Sequence, residues 1–310
     1  MSGEFSIVIP VKNRESLILR ALDSVKAQTY RPLKIIVVDN ASTDSTIQSV
    51  KNWVSVNCTV GLSVEVLEES ALGACAARNR GLQRVNSPWM LFFDSDDTME
   101  PELVERVVAT VKGNPDVEMI YWKCLVRNID GEESFKKYRT SRHWHSHIYN
   151  SQFCTQCYAA KTELFKSVGG WNPDMSVWND WELGIRLLLS NPKRIGIPEV
   201  LTIIYAQRES ITGVDHHSKA GEWERAIDEA ERVVAEADID EELKSKLLDM
   251  INYRRVNLAA LYRREKHPEY ALTLEAEAKR HSHGRLKWLW LKILEKYTEM
   301  GGRGAYIFWR

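Results

Sequence analysis

Little in this sequence pulls it toward a nucleic acid, a bilayer or an oxidising compartment. Acids and bases nearly cancel, 42 Lys and Arg against 43 Asp and Glu, so the net charge is −1. The whole chain therefore lacks the basic surplus of a nucleic-acid binder. No uninterrupted apolar run approaches the roughly 18–20 residues that span a bilayer. The opening MSGEFSIVIPV has no basic stretch, and its apolar run is too short for a signal peptide. These absences lead us to expect a cytoplasmic protein. Cysteine is scarce too: there are five, an odd number. Cys154 and Cys157 form one CxxC pair, with no second pair to complete a zinc site. Reduced, mostly buried thiols are expected, with a redox or metal role as the alternative.

What is present is enough apolar residue for a core, 44% of the chain, in one large domain or a domain plus an appendage. In the first half, solid apolar runs alternate with helical patterns. FSIVIPV, LKIIVVD, LSVEVLE and WMLFFD read as strands. Helices are expected over Ser16–Gln28, from a Ser42 or Thr43 cap to about Trp53, and over GACAARNRGLQRV. Strands of this kind indicate a mostly parallel, Rossmann-like sheet covered on both faces. Ligands of such sheets bind beyond the carboxyl ends of the strands, where Pro10 to Asn13, Asp39 and Asp94 fall. The middle of the chain is aromatic and less regular, with a turn at Asp130–Gly131. From Glu222 onward long helical patterns take over without a fixed repeat period. The expected division is an α/β domain over residues 1–220 and an α-helical C-terminal appendage over 221–310.

The stretch LFFDSDDTMEP places Asp94, Asp96 and Asp97 within four residues at a strand's end. Carboxylates this close raise one another's pKa unless a positive charge intervenes. With no His or Cys alongside, they suit a hard cation, Mg²⁺ or Mn²⁺, shared with the phosphates of a substrate. A helix cap accounts for one of these acids but not for three.

The pieces SIVIPVKNRESLILRALDSVKAQTY, IIVVDNASTDST, GACAARNRGL, MLFFDSDDTMEP, ELFKSVGGWN and WNDWEL follow in order, within a span from roughly Phe5 to Thr212 that is two thirds of the chain. In these the chain resembles family 2 glycosyltransferases. These are inverting enzymes of the GT-A fold, the nucleotide-diphospho-sugar transferase fold. The resemblance implies that Asp94 to Asp96 is the family's DxD element. Asp94 would then contact ribose and metal, Asp96 would ligate Mn²⁺ or Mg²⁺, and Ser95 would lie against the donor between them. Asp39 would accept the N3–H of uracil, although Asn40 stands where relatives often have a second acid; a helix-initiating Asx turn is the other reading of Asp39. Arg78 would pair with base or phosphates, and Pro10, Val11, Asn13 and Glu15 would wall the nucleotide pocket. Asp180 would be the general base, with Glu182 as runner-up and helix capping as the plainer alternative. Trp178 and Trp181 would either stack on a sugar or belong to the core.

Taken together, the resemblance implies a metal-dependent transferase. It would move a sugar from a nucleotide-sugar donor, UDP-linked, to a glycan or lipid-linked acceptor in cell-surface polysaccharide synthesis. Two rivals are weighed. A sugar nucleotidyltransferase needs a glycine-rich basic loop after the first strand, which PVKNRES is not. A binding module that has lost catalysis stays open because YAQRESIT lacks the histidine that many relatives carry there. His216 or His217 would have to substitute for it. HWHSH (His143, His145, His147) would share one face if it formed a strand.

The tail has a character of its own. Lys279 to Arg310 holds eight Lys and Arg and two Glu, a net of +6, leaving about −7 for the rest. Helical spacing in RLKWLWLKILEKY puts Leu286, Leu289, Trp290, Ile293, Leu294 and Tyr297 on one face. Two readings stay open: peripheral contact with an anionic membrane on its inner, cytoplasmic side, or packing on the appendage or on a second subunit.

Overall fold

The computed structural model describes residues 3–136, 138–207, 215–282 and 284–302. The chain forms two compact units, Met1–His143 with Gln152–Gln207, and Trp144–Ser151 with Arg208–Arg310.

The first unit is α/β. In chain order its elements are β1 (Phe5–Val11), α1 (Ile18–Lys26), β2 (Leu33–Asp39), α2 (Thr46–Asn57), β3 (Leu62–Glu68), α3 (Ala74–Leu82), β4 (Trp89–Phe92), β5 (Thr98–Met99) and α4 (Leu103–Gly113). After β6 (Met119–Arg127) and β7 (Glu133–Phe135) comes α5 (His143–Asn150), most of which belongs to the other unit. Then follow β8 (Tyr158–Lys161), α6 (Thr162–Ser167), α7 (Asn179–Leu189) and β9 (Arg194–Tyr205). One nine-stranded sheet runs β3-β2-β1-β4-β8-β6-β9-β5, with β7 beside β6. The expected parallel order holds from β3 to β4. Beyond β4 the sheet is mixed, because β8 enters antiparallel to both β4 and β6.

Burial explains why the runs are solid. Every residue of β1 is buried, and β4 is buried throughout. Each such aliphatic side chain contributes about 1.5–3 kcal/mol on leaving water. In LSVEVLE only Leu62 is buried, Val64 to Leu67 are half-buried and Ser63 and Glu68 are exposed, as fits its place at the sheet edge.

Helix α3 lies against β1 and β2 with no spare room. A Cβ on Gly81 would collide with Val8 Cγ1 and sit 3.3 Å from Val38 Cγ2. The glycine of ARNRG is thus fixed by close approach of helix to strand, not by a turn.

The second unit contains α8 (Glu222–Glu236), α9 (Glu241–Arg264), α10 (Pro268–Arg280) and α11 (Arg285–Glu299). Asp240 caps α9 by accepting from the backbone N–H groups of Glu242 and Leu243 at 2.9 and 3.1 Å. Tyr253 and Val256 of α9, Ala278 of α10 and Leu291 and Leu294 of α11 share an apolar cluster. Arg255, buried in this unit, pairs with Asp228 at 2.7 Å and also with Glu231. No helix among the described residues is long and apolar enough to cross a membrane.

Candidate active site

The strand register gathers the site's elements at one end of the sheet. Val11 lies opposite Asp39, so β1 and β2 end level, and Val8 lies opposite Phe92, so β4 ends three residues short of them. Pro10 and Val11 are buried in β1, so a wall there is made of strand backbone, not exposed side chains. Asn13 follows, exposed and in the left-handed region at φ 49°. Its backbone N–H donates to Ser42 Oγ at 3.0 Å, and its Oδ1 accepts the Thr43 N–H at 2.8 Å. Ser42 and Thr43 are therefore bound to the loop after β1 and do not cap α2. That helix begins only at Thr46, whose N–H donates to Asp44 Oδ1 at 3.0 Å. Glu15 is exposed beside it, its N–H 3.4 Å from Asp44 Oδ2.

Asp39 is buried at the end of β2. Its Oδ2 accepts the Ser42 N–H at 3.1 Å, forming the turn expected of an Asx residue. Its Oδ1 is buried without a hydrogen-bond partner among the described residues, an arrangement that is costly unless something donates to it. Asn40 is fully used. Its Nδ2 donates to the carbonyls of Glu69 and Ala71 at 3.1 and 2.7 Å, and its Oδ1 accepts the Gly73 N–H at 2.7 Å. An aspartate here would lose both donated bonds, so the asparagine is explained by the loop it fastens.

The acidic cluster resolves into two kinds of aspartate. Asp97 is buried, its Oδ1 accepting the Tyr205 N–H at 2.9 Å and its Oδ2 accepting from Gln156 Nε2. Burial, then Asp94 and Asp96, push its pKa well above the usual carboxylate range. It is an anchor joining the acidic loop to β9 and to the 3₁₀ turn Thr155–Cys157. Asp94 and Asp96 are only half-buried. Asp94 Oδ1 accepts from Arg78 Nη2 at 2.7 Å; its other oxygen has no hydrogen-bond partner among the described residues. The Asp96 carboxylate receives no hydrogen bond from another described residue. Burial and then Asp94 raise its pKa, against the pull of Arg14 and Arg20. Ser95 lies buried between the two. Two oxygen donors that are underused and mutually repelling fit a hard divalent cation.

Asp97→Ala is expected to cost about 2–3 kcal/mol in urea unfolding, because it strands the half-buried Tyr205 N–H and the buried Gln156 amide. Asp97→Asn keeps an acceptor for Tyr205 and is expected to cost well under half as much. Equal losses for the two variants would refute the anchoring role.

Arg78 is buried on α3, with its guanidinium 4.3 Å above the Trp171 ring and its Nη1 3.5 Å from Asn179 Oδ1. It reaches the acidic loop on one side and the start of α7 on the other. Its neighbour Asn79 clamps the GGW turn, donating to the Trp171 carbonyl at 2.7 Å and accepting the Trp171 N–H at 2.8 Å. Asp180 lies in the first turn of α7, half-buried, its Oδ1 accepting the Trp181 N–H at 2.8 Å. Burial raises its pKa, opposed by Lys136 and Arg78 and assisted by Asp94. Asp180 therefore both helps to start the helix and shares one electrostatic neighbourhood with Asp94 and Arg78.

Glu182 is ruled out as an alternative base. It is buried and bidentate to Arg186, at 2.6 Å to both Nε and Nη2. That guanidinium also holds the Gly170 carbonyl at 2.7 Å. Trp181 belongs to the core, whereas Trp178 is half-buried in the left-handed region at φ 48°. A bulky residue held there marks a backbone fixed by its surroundings, one residue from Asn179.

Several participants had no clear mark in the sequence. Arg20 of α1 donates to the Asp96 carbonyl and lies 3.8 Å over the Tyr205 ring. Gln156 lies between Cys154 and Cys157 and Asn79 lies in GACAARNRGL, but neither spacing nor residue type points to Asp97 or to the GGW turn. Other expectations are corrected. HWHSH is helical, in α5, so alternation does not put its three histidines on one face. His216 and His217 belong to the second unit, each ring Nδ1 directed at Glu265, at 2.8 and 3.0 Å. Of YAQRESIT, residues 208–214 lie outside the described residues. Cys154 and Cys157 are joined as a disulfide instead of standing as two reduced thiols. Cys75 and Cys124 are buried free thiols, and Cys58 is exposed.

Comparison with known proteins bears on the family and the fold. The chain is similar to the PGL/p-HBAD biosynthesis glycosyltransferase of Mycobacterium tuberculosis, 28% identical over 61% of this chain and 70% of the relative. Its fold is shared with two solved structures. One is Staphylococcus aureus TarS 1–349 in complex with UDP-GlcNAc, with a TM-score of 0.65, 17% identity and coverage of 91% of this chain and 93% of that one. Against a longer TarS chain the match spans 43%. The other is the mannosyltransferase PcManGT of Pyrobaculum calidifontis in complex with GDP-Man and Mn²⁺, with a TM-score of 0.62, 17% identity and coverage of 99% and 83%. The family model for glycosyl transferase family 2 matches residues 6–169, more than half of the chain. The chain therefore belongs to glycosyltransferase family 2.

Proposed function

We propose that this glycosyltransferase inverts the sugar it moves, from a UDP-linked donor to a glycan or lipid-linked acceptor in cell-surface polysaccharide synthesis. The observation that carries the reading is the reach of Arg78. One buried guanidinium touches both Asp94 and Asn179, next to Asp180. A donor's diphosphate beside Asp94 would thus lie near a carboxylate able to take a proton from an attacking hydroxyl. Asp39, with one buried oxygen still open to a donor, is assigned to the N3–H of uracil. Pro10, Val11, Asn13 and Glu15 border the nucleotide, with Ser95 against the donor.

Asp94 and Asp96 would hold Mn²⁺ or Mg²⁺, which when bound neutralises charge on the departing diphosphate. The protein's own residues do the rest. Asp180 accepts the acceptor's proton, and burial keeps that carboxylate basic enough for the task. Arg78 holds Asp94, and Asn40 and Asn13 keep the loops around the nucleotide in place. UDP-GlcNAc in TarS, and GDP-Man with Mn²⁺ in PcManGT, support a nucleotide-sugar donor and a cation by likeness of fold.

A screen of nucleotide sugars by thermal unfolding tests this reading. Ligand at 100 times its Kd stabilises the native state by about 2.7 kcal/mol, a rise in Tm of several degrees. UDP-sugars with Mn²⁺ are expected to give that rise, and GDP- or CDP-sugars much less. No protection by any UDP-sugar would overturn the base assignment, and protection without transfer to any acceptor would favour a binding module.

A further inference from the structure

Helix α11 has two apolar faces. Leu291 and Leu294 turn inward against Tyr253 and Val256 of α9, which removes Leu294 from the single face expected for this segment. Leu286, Leu289, Trp290, Ile293 and Met300 point the other way and are 49–79% exposed. At 3.6 residues per turn these five fall within a sector of about 100°. Isolated exposed apolar residues are ordinary, but a continuous stripe marks a surface that binds something.

Charge identifies what covers it. Arg285, Lys292 and Lys296 line one border of the stripe. Lys292 pairs with Glu275 and Glu295, and Lys296 pairs with Glu299. Arg285 has no ion-pair partner among the described residues. The stretch from Lys279 to Arg310 carries a net of +6 against −7 for the rest. Two copies meeting stripe to stripe would press two strongly basic tails together. An anionic lipid surface would instead meet this helix with opposite charge and an apolar layer at the depth of an interfacial helix. We infer that the outer face of α11 docks on an anionic membrane surface, lying along it without crossing. The inference is independent of the transfer chemistry proposed above.

The test is flotation of the full chain with vesicles of phosphatidylcholine alone or with about 30% phosphatidylglycerol, at low and high salt. The parent is expected to partition at least about 10-fold more onto the anionic vesicles, and less so at high salt. Trp290→Glu with Ile293→Glu is expected to lower that binding about 10-fold or more. Arg285→Glu with Lys296→Glu is expected to abolish the preference for anionic lipid. Unchanged circular dichroism and unchanged thermal stability would show both variants to be folded. Equal binding of the parent to both vesicles, no loss in the Trp290/Ile293 variant, or a dimer by light scattering that the same variant dissociates would each overturn the inference.

Discussion

Replacing Asp180 with Asn is expected to lower sugar transfer about 100- to 10,000-fold, the range a positioned general base supplies, while donor protection against heat stays unchanged. The base works only when ionised. Because burial raises its pKa, the acid limb of the rate profile should lie above the ordinary aspartate value of about 3.9. Stability runs the other way. A carboxyl whose folded pKa is raised favours the folded state most below its unfolded pKa, and loses that contribution as pH rises through the folded one. Wherever Asp180 is ionised it is thus a liability, and Asp180→Asn should hold or raise Tm. Transfer within about threefold of the parent would remove Asp180 from the chemistry. A lowered Tm would instead assign it to the start of α7.

The second large effect is expected at Asp96. Asp96→Asn should abolish the Mn²⁺-dependent part of donor protection and lower transfer about 100- to 1,000-fold, the loss typical of one electrostatic contact to developing charge. It should not unfold the protein, because it relieves repulsion from Asp94 and breaks no hydrogen bond to another described residue. The contrast with Asp97 is the informative one. Two acids adjacent in sequence are expected to separate cleanly, Asp96 in metal-dependent binding and Asp97 in stability. Metal-dependent protection that survives intact in Asp96→Asn would mean that the cation is held elsewhere.

How far this was legible in the sequence depends on the distance over which each residue acts. β1, β2 and β4 were plain because solid β-branched and aromatic runs are local signals, and the site followed because strand ends gather ligands in such sheets. The helices of the second unit were plain for the same reason. The second half of the sheet was not. β8 is only four residues long, and which neighbours it takes depends on strands far away in sequence. The division of labour in DSDD was also hidden. Asp97 differs from Asp96 through Tyr205 and Gln156, residues 108 and 59 positions away. Glu182 reads as the runner-up to Asp180, but a partner one helical turn on, Arg186, occupies it. Ser42 and Thr43 read as caps because their composition suits capping, yet Asn13 competes for the same groups across the sheet edge and wins.

The contact beneath Gly81 gives α3 no slack, and that bears on how defects in this enzyme should be diagnosed. Arg78 sits one helical turn before the glycine, so its height over the acidic loop is set by how closely the helix rests on Val8 and Val38. A methyl group at position 81 would lift the helix like a shim under a lever. A variant with every polar group of the site intact would then present as a loss of donor affinity.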